Sequence, residues 1–437
     1  MGWEYETLGD ICTIEKGNIG INKAISGDYP LVVMGSERKS HNEYQFDEEA
    51  VIIPLVSSTG HGHRSMNRIH FQSGKFSIGS ILCAVIPKDK TVLSAQYLYR
   101  YLDLYKEQEL VGRMKGMANV SLSMKSIAEV EIPIPPIEIQ QKIVSKFDDV
   151  EKSNENLSSE HTHQLDLLKK LRQQILQDAV QGKLVPQDPN DEPASKLLQR
   201  IKAEKEQLIK EKKIKKSKPL PEIKPEEIPF EIPDSWVWCR LGVIIYDTEG
   251  GKSPNCLNEP VNGSEWGVIK TTAVQEMLFI ENENKVLPNG FIVNEHHKII
   301  EGDVLITRAG PKNRVGVVCC VKNLTKNLIL SDKTIRIKHS KHLINSEHLS
   351  SILNSHKIKS VIEDKMTGMA DSQVNISQEN MKGFPIPLPP INEQNRIVTK
   401  IEQLMSLCDD LEHSIQQNQK YTQELLQVAL KEALEPK

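Results

Sequence analysis

One loop in the first third of the sequence carries side chains suited to contacts with a nucleic acid. Positions 57–68 read SSTGHGHRSMNR, with two arginines, two histidines, an asparagine and four hydroxyl residues. Arginine forms bidentate hydrogen bonds with guanine, asparagine does so with adenine, and hydroxyls bind phosphates. The candidate contacts in this loop are Ser57, Ser58, Thr59, His61, His63, Arg64, Asn67 and Arg68.

A second set of loops, later in the chain, has the same chemistry. Positions 307–316 read TRAGPKNRVG, and the stretches 113–119 and 365–371 each place basic residues beside a Gly-Met-Ala triplet. Taken alone, each loop is more typical of an ordinary polar surface, and both interpretations stay open for the matched sets. The further candidate contacts are Arg113, Lys115, Lys252, Arg308, Lys312, Asn313, Arg314 and Lys365.

The sequence contains no complete catalytic motif. Gly251-Lys252-Ser253 resembles the end of a phosphate-binding P-loop, but Tyr246 stands where that motif needs its first glycine. His61 and His63 lack nearby residues that would complete a metal site, and the seven cysteines are scattered without a C-x-x-C pair. We therefore predict a chain that is not an enzyme, binds no metal or cofactor and keeps its thiols reduced.

The elements that position these loops are indicated by an internal repeat. Positions 120–147 and 374–401 align without a gap at an offset of 254 and share I-P-[IL]-P-P-I-x-x-Q-x-[KR]-I-V-[ST]-K. Each half also opens with a tryptophan, Trp3 or Trp236, followed at equal spacing by Leu-Gly. Between these markers the halves look unrelated. We call the repeated segments and their opening markers the frame. A duplicated frame around two different sequences suits one task performed on two targets, and the alternative is a duplication kept for folding alone.

Each repeat is followed by apolar residues spaced at the 3.5-residue period of a coiled coil. Neither helix can bury its stripe alone, so we predict that the two pair antiparallel and relate the halves by a pseudo-two-fold axis. The predicted seam comprises Ile143, Phe147, Val150, Leu157, Leu168, Leu171 and Ile175 in the first helix, and Ile397, Ile401, Leu404, Leu411, Ile415 and Leu425 in the second.

The predicted fold class is mixed α/β, with two α/β globules joined by the two long helices. A charged, proline-rich linker has one short helix with an N-cap near Ser195 and a basic run at 210–218, which is either solvated or attracted to a DNA backbone. The predicted boundaries are 1–137 and 236–391 for the globules, 138–182 and 392–434 for the helices, and 183–235 for the linker.

Charge and hydropathy narrow the class of partner. The net charge of −4 gives no general attraction to nucleic acid, so any such contact must come from local basic patches. The sequence has no apolar run of about 18 residues and its N-terminus has no apolar signal region. We therefore expect a cytoplasmic protein without a membrane span.

Both repeat frames, the stretches 57–63 and 171–186, and IPDSWVWCRLG at 232–242 resemble type I restriction–modification specificity subunits over the whole chain. The resemblance implies that each globule is a target recognition domain reading one half of a split, asymmetric site in double-stranded DNA. It implies that the helices are a spacer that docks two methyltransferase subunits, which use S-adenosylmethionine, and that a restriction subunit uses ATP and Mg²⁺. The alternative is a non-catalytic scaffold whose two heads bind proteins.

Overall fold

The computed structural model describes residues 3–59 and 62–434. The chain divides into two compact units, Met1–His163 with Ile415–Lys437 and Gln164–Ser414. Each unit therefore contains one α/β head together with part of each of two long helices, Ile137–Val180 and Ile391–Ala433.

The first head is built from two four-stranded sheets and a two-stranded ribbon, with helices packed against the larger core. Its strands are β1 (Glu4–Thr7), β2 (Cys12–Lys16), β3 (Tyr29–Val32), β4 (Lys39–His41), β5 (Phe46–Asp47), β6 (Ala50–Pro54), β7 (His70–Gln72), β8 (Lys75–Ile78), β9 (Leu82–Pro87) and β10 (Glu131–Ile134). Its helices are α1 (Leu8–Ile11), α2 (Ala95–Leu104), α3 (Lys106–Glu109) and α4 (Met124–Ala128), followed by the long helix α5 (Ile137–Val180).

The second unit begins its own elements with α6 (Ala194–Lys210) and ends with the long helix α11 (Ile391–Ala433). Its other helices are α7 (Leu241–Ile244), α8 (Ser346–Asn354), α9 (His356–Asp364) and α10 (Gln378–Lys382). Its strands are β11 (Val237–Arg240), β12 (Ile245–Gly250), β13 (Trp266–Ile269), β14 (Val274–Gln275), β15 (Leu278–Phe279), β16 (Asn284–Val286), β17 (Val304–Thr307), β18 (Ala309–Gly310), β19 (Val318–Cys320), β20 (Asn327–Ile329), β21 (Thr334–His339), β22 (Thr367–Ala370), β23 (Gln373–Asn375) and β24 (Pro385–Leu388).

The two heads share one topology although their sequences between the repeat markers look unrelated. The main sheet has the order β2-β9-β6-β7 in the first head and β12-β21-β17-β19 in the second. In both main sheets every pairing is antiparallel. Both heads also have a second sheet with one parallel pair, β3 with β8 and β13 with β20, and this sheet has four strands in the first head and three in the second. The duplication therefore extends beyond the repeated frame into the sheets of the heads, although β14-β15 and β18-β23-β22 form additional sheets in the second head.

The repeated frame closes each head with a two-stranded antiparallel ribbon. In the first head Glu4 lies opposite Ile134, and in the second Val237 lies opposite Leu388, which is 254 positions later in the chain than Ile134. Apolar residues of these ribbons face the core, while the Pro-Pro pair that follows ends the strand and lets a long helix begin. The first strand after the opening tryptophan is thus paired with the last strand before the helix.

A buried glutamine links each long helix to its head. Gln140 Oε1 accepts from Ser94 N at 2.8 Å, and its Nε2 donates to the carbonyls of Val92 and Pro135, both at 2.8 Å. Gln394 Oε1 accepts from Asn345 N at 2.9 Å. Ser94 and Asn345 are the N-caps of α2 and α8, so the repeated glutamine fixes the start of the long helix against the start of a head helix.

The long helices pack against each other in both units. In the first unit, Ile143 and Phe147 near the start of α5 are buried with Leu430 and Leu434 at the end of α11. In the second unit the pairing is reversed along each helix, with Leu168, Ile175, Leu176 and Ala179 of α5 buried with Ile397, Ile401 and Cys408 of α11. The helices therefore run antiparallel, as the seam predicted.

Four seam positions are wrong in detail. The side chains of Leu157, Leu171, Leu411 and Leu425 are 46–67% exposed, whereas Leu176 and Leu430 are buried in the helix contacts. A straight α-helix has 3.6 residues per turn, so its packed face drifts by about 20° per heptad from a strict 3.5-residue repeat. Over nearly five heptads this drift moves the contact to a neighbouring position.

The segment 183–235, predicted as a charged linker, is partly folded into the second unit, while its basic run at 210–218 is largely exposed. Helix α6 begins at Ala194 after Pro193, not at an N-cap at Ser195, and buries Ala194, Leu197 and Ile201 in the core of the second unit. Lys205 Nζ donates to the carbonyls of Gly242 and Ile245, both at 2.6 Å. The many prolines and charges of this segment suggested a linker without a core. The helical spacing of its three buried apolar residues indicates the contrary.

The glutamine link predicts a measurable loss of stability. Replacing Gln394 with methionine keeps the volume but leaves the Asn345 N–H and the Pro389 carbonyl without their partner, which costs about 1–3 kcal/mol of unfolding free energy. Urea denaturation followed by tryptophan fluorescence measures this loss. Gln403→Met, an exposed position on the same helix, is the control, and equal stability of the two variants would contradict the prediction.

Candidate nucleic-acid interface

The loop at 57–68 of the first head is organised by its own hydroxyl groups. Ser65 Oγ lies 2.7 Å from Thr59 Oγ1 and 3.2 Å from Ser57 Oγ, and it accepts from Thr59 N at 3.1 Å. Ser58 Oγ accepts from Asn67 N at 3.0 Å, and Ser57 Oγ donates to the His63 carbonyl at 2.6 Å. A hydroxyl has only one proton to donate, so Ser57 has no donor left for a phosphate.

These bonds separate the predicted contacts of the first loop into two groups. Ser57, Ser58 and Thr59 shape the loop through these bonds, and Ser57 has already used its proton, while contacts of Ser58 and Thr59 with a ligand stay a prediction. The side chains of Thr59, His63, Arg64, Asn67 and Arg68 are exposed, while the neighbouring Met66 is buried and anchors the loop. His61 lies outside the described residues. The loop thus presents two guanidinium groups from a fixed backbone.

The second predicted loop of the first head lies beside the first. Ser57 N donates to the Val120 carbonyl at 3.0 Å, and a Cβ at Gly62, where φ is +81°, would collide with the Met117 carbonyl. Lys115 is exposed at this junction, whereas Arg113 donates to Glu109 at 3.4 Å and has part of its charge balanced. Lys115 therefore adds an exposed positive charge to the loop that contacts the first one, whereas the charge of Arg113 is partly balanced.

A further arginine, which no sequence motif singles out, extends the positive charge. Arg38 Nη1 lies 3.1 Å from His70 Nδ1, and its Nε donates to Gln72 Oε1 at 3.0 Å. Burial, together with the charges of Arg38 and Arg68, lowers the pKa of His70 to about 4, so this ring is neutral near pH 7. A neutral His70 leaves the charges of Arg38 and Arg68 available at the surface.

The loop at 307–316 stands at the same place in the second head. Ile376 N donates to the Arg308 carbonyl at 2.9 Å, just as Leu122 N donates to the Leu55 carbonyl at 2.9 Å in the first head. Positions 122 and 376 are equivalent in the repeat. Each candidate loop therefore leaves the frame immediately after the same hydrogen bond, although the two loop sequences differ.

Several basic residues of the second head gather around this loop. Arg308 N donates to the Lys333 carbonyl at 2.8 Å, and Lys252 N donates to the nearby Leu330 carbonyl at 3.2 Å. The Arg308 Nε is buried and has no hydrogen-bond partner among the described residues. Lys333 was not predicted from the sequence, because it belongs to no basic loop. The predicted Lys252, Lys312, Asn313 and Lys365 are exposed.

Arg314 is a correction to the predicted interface. Its Nη1 donates to Gln275 Oε1 at 2.9 Å, and its Nη2 donates to the carbonyls of Thr271 and Val274, both at 2.8 Å. The fork of donors that suits a guanine edge suits backbone carbonyls equally well. Arg314 therefore ties its loop to the short strand β14 and is not placed to read a base.

Two other classes of site are absent from residues 3–59 and 62–434. No three His, Cys, Asp or Glu side chains in this part of the chain stand close enough together to hold a metal ion. No helix within these ranges combines the length and the apolar character needed to cross a lipid bilayer.

Comparison with known families supports the duplicated plan. The family described as "Type I restriction modification DNA specificity domain" matches residues 1–166 and 270–420. These two ranges fall on the two halves of the chain, and together they cover well over half of it.

Two curated proteins of Escherichia coli are similar over part of the chain. The type I restriction enzyme EcoEI specificity subunit is 49% identical over 250 residues, which is 57% of this chain and 42% of that protein. The EcoAI specificity subunit is 35% identical over 271 residues, which is 60% of this chain and 44% of that protein. The chain thus spans less than half the length of these two relatives.

A solved structure shares the fold over nearly the whole chain. It comes from work on complex assembly and conformational transition of the type I R-M system, and it has a TM-score of 0.64 and 16% sequence identity. The match covers 99% of this chain and 98% of the other. At this identity the likeness concerns the fold, with its two heads and paired long helices.

The internal bonds of Arg314 lead to a prediction about stability. Arg314→Met removes three hydrogen bonds that tie the loop to the segment 271–275, so we expect the unfolding free energy to fall by about 1–3 kcal/mol. Lys312→Met, an exposed change in the same loop, should stay within about 0.5 kcal/mol of the unchanged chain. Urea denaturation of both variants tests this, and equal stability would show that the Arg314 bonds contribute nothing.

Proposed function

Because this chain belongs to the family of type I restriction–modification DNA specificity domains, we propose that it reads a split, asymmetric sequence in double-stranded DNA. Each head reads one part of that sequence with the loop that leaves the frame after Leu55 or Arg308. Different loop sequences at equivalent positions give the two heads different targets. The duplicated topology makes the recognition bipartite within a single chain.

The observation that carries this proposal is the pair of basic loops at matching places in two heads of one topology. In the first head Arg38 and Arg68 both act on His70, Arg64 and Lys115 are exposed on the two contacting loops, and Arg308 begins the corresponding loop of the second head. Guanidinium groups on a fixed backbone suit guanine edges in the major groove, while lysines suit phosphates. Local charge of this kind accounts for DNA binding by a chain whose net charge is −4.

The chain itself performs no chemistry in this proposal. It is a specificity subunit that brings two methyltransferase subunits, and a restriction and motor subunit, to the DNA. Those partners use S-adenosylmethionine, and ATP with Mg²⁺, so the cofactors belong to them and the complex acts in the cytoplasm. The paired helices α5 and α11, whose outer faces are largely exposed, are the surface proposed for docking the methyltransferases.

Substitution of single arginines should change the sequence that becomes methylated. Arg68→Met should relax recognition at one base position in one part of the site, and Arg308→Met should do so in the other part, each by about 1–3 kcal/mol. Genome-wide mapping of adenine methylation, in a host that also supplies the partner subunits, measures both effects. Lys196→Met, an exposed change on α6, away from the candidate loops and the long helices, is the control and should leave the pattern unchanged.

The same variants distinguish base contacts from phosphate contacts. An equal loss of methylation at every site would identify Arg68 or Arg308 as a phosphate contact, and no change in either variant would contradict the proposed interface. Lys115→Met should instead weaken binding to all sequences equally. It should also reduce the slope of log affinity against log salt concentration by about one.

DNA binding by the isolated chain separates the proposal from a protein-binding scaffold. We expect its affinity for duplex DNA to fall steeply as salt rises, since its proposed contacts include several cations near phosphates. Incubation of the chain with S-adenosylmethionine and DNA should give no methylation, because the partners supply the catalytic site. Weak, salt-independent binding would favour the scaffold, and methylation by the chain alone would overturn its non-catalytic role.

A further inference from the structure

The two units differ at one place where their frames otherwise match. In the second unit, the chain that follows α5 crosses the beginning of α11, where Leu184 and Val185 pack with Trp236 and Ile397. A glycine makes this course possible. Gly182 has φ of +69°, its N–H donates to the Ala179 carbonyl, and a Cβ there would collide with Pro233.

Polar bonds hold this crossing segment at its two ends. Gln187 Nε2 donates to Glu393, and Trp236 Nε1 donates to the other Glu393 oxygen at 2.9 Å. Further along, Asp191 pairs with Arg396 Nη2 at 2.7 Å while its side chain is only 5% exposed. The guanidinium lowers the pKa of Asp191, which keeps the carboxylate charged. The segment 183–191 is thus bound by an apolar contact, an amide and an ion pair.

The equivalent place in the first unit is an open groove of about 820 Å³. The end of α11 borders it at Glu432 and Ala433. Most of its lining is apolar, and its charged lining residues are Lys142, Lys146, Glu4 and Glu432. Its lining includes Trp3, Pro135, Pro136, Ile139, Lys142 and Ile143.

The repeat relates the two grooves position by position. Lys142 is equivalent to Arg396, so the open groove keeps a cation where the filled groove binds Asp191. Trp3 stands where Trp236 stands in the other unit. Ile139 replaces Glu393, so the open groove has an apolar side chain where the filled groove binds Gln187.

We propose that this groove binds an extended segment of a partner protein that resembles residues 184–191 of this chain. The segment carries two adjacent apolar residues followed by a proline, and a carboxylate at the position of Asp191 pairs with Lys142. An apolar side chain replaces the glutamine at the position facing Ile139. The proposal goes beyond DNA recognition and does not rest on it, since every residue that it uses lies outside the candidate loops.

Two labelled peptides test the proposal with the full chain by fluorescence anisotropy. One has the sequence of residues 182–192, GKLVPQDPNDE, and the other has leucine in place of its glutamine. We expect saturable binding of both, with the leucine peptide at least about threefold tighter because it faces Ile139. Lys142→Glu should weaken the leucine peptide about fivefold, and a peptide with Asp191→Lys should recover that loss on the Lys142→Glu chain.

A control and three outcomes decide the matter. Lys152→Glu reverses an exposed charge on the same helix outside the groove and should leave peptide binding unchanged. The proposal is overturned if no peptide binds saturably, or if a peptide with serine at both apolar positions binds as well as the original. It is also overturned if Lys142→Glu has no effect, because the peptide would then have displaced segment 183–191 in the second unit.

Discussion

Gln140 and Gln394 each stand where a head helix, a Pro-Pro turn and a long helix meet. Each side chain is fully buried, and its carboxamide satisfies a backbone N–H and one or more carbonyls of the junction. A buried amide without a partner is costly, so each junction accepts one geometry. Because the long helix starts at this junction, its direction from the head is fixed there, and so is the face it turns to its antiparallel partner.

The sequence predicted the frame well because the frame's signals are local. Prolines end strands, and a 3.5-residue apolar period indicates paired helices. The internal repeat shows that the strand end and the helix start each occur twice. The common topology of the heads was not predictable, since a sheet order depends on distant pairings that many sequences satisfy. The burial of Ala194, Leu197 and Ile201 was masked by the charges and prolines around them. The drift of the helix contact away from Leu157, Leu171, Leu411 and Leu425 follows from 3.6-residue geometry, which a heptad assignment leaves out.

The candidate interface was predictable only as a set of residue types. Arg308 and Arg314 lie in one loop, yet Arg314 binds backbone carbonyls while Arg308 has a buried Nε without a partner among the described residues. Arginine has the same donors in both roles, so only the surrounding backbone decides which role it takes. Arg38 shows the reverse case, in which an arginine from an ordinary turn joins the cluster because strand β7 brings His70 and Gln72 to it. Equivalent placement in two heads is stronger support than the composition of either loop.

The division of the helices between the units sets an order of events during synthesis. Ile143 and Phe147 emerge from the ribosome early, but Leu430 and Leu434, which are buried with them, belong to the last part of the described chain. The first unit is therefore completed only after the whole second unit has been translated. At about 5–20 residues per second that wait lasts tens of seconds, during which an apolar stripe of the nascent chain is open to water, to chaperones or to a neighbouring chain. Packing of helix α11 thus completes the core of the first unit, whose head was translated long before.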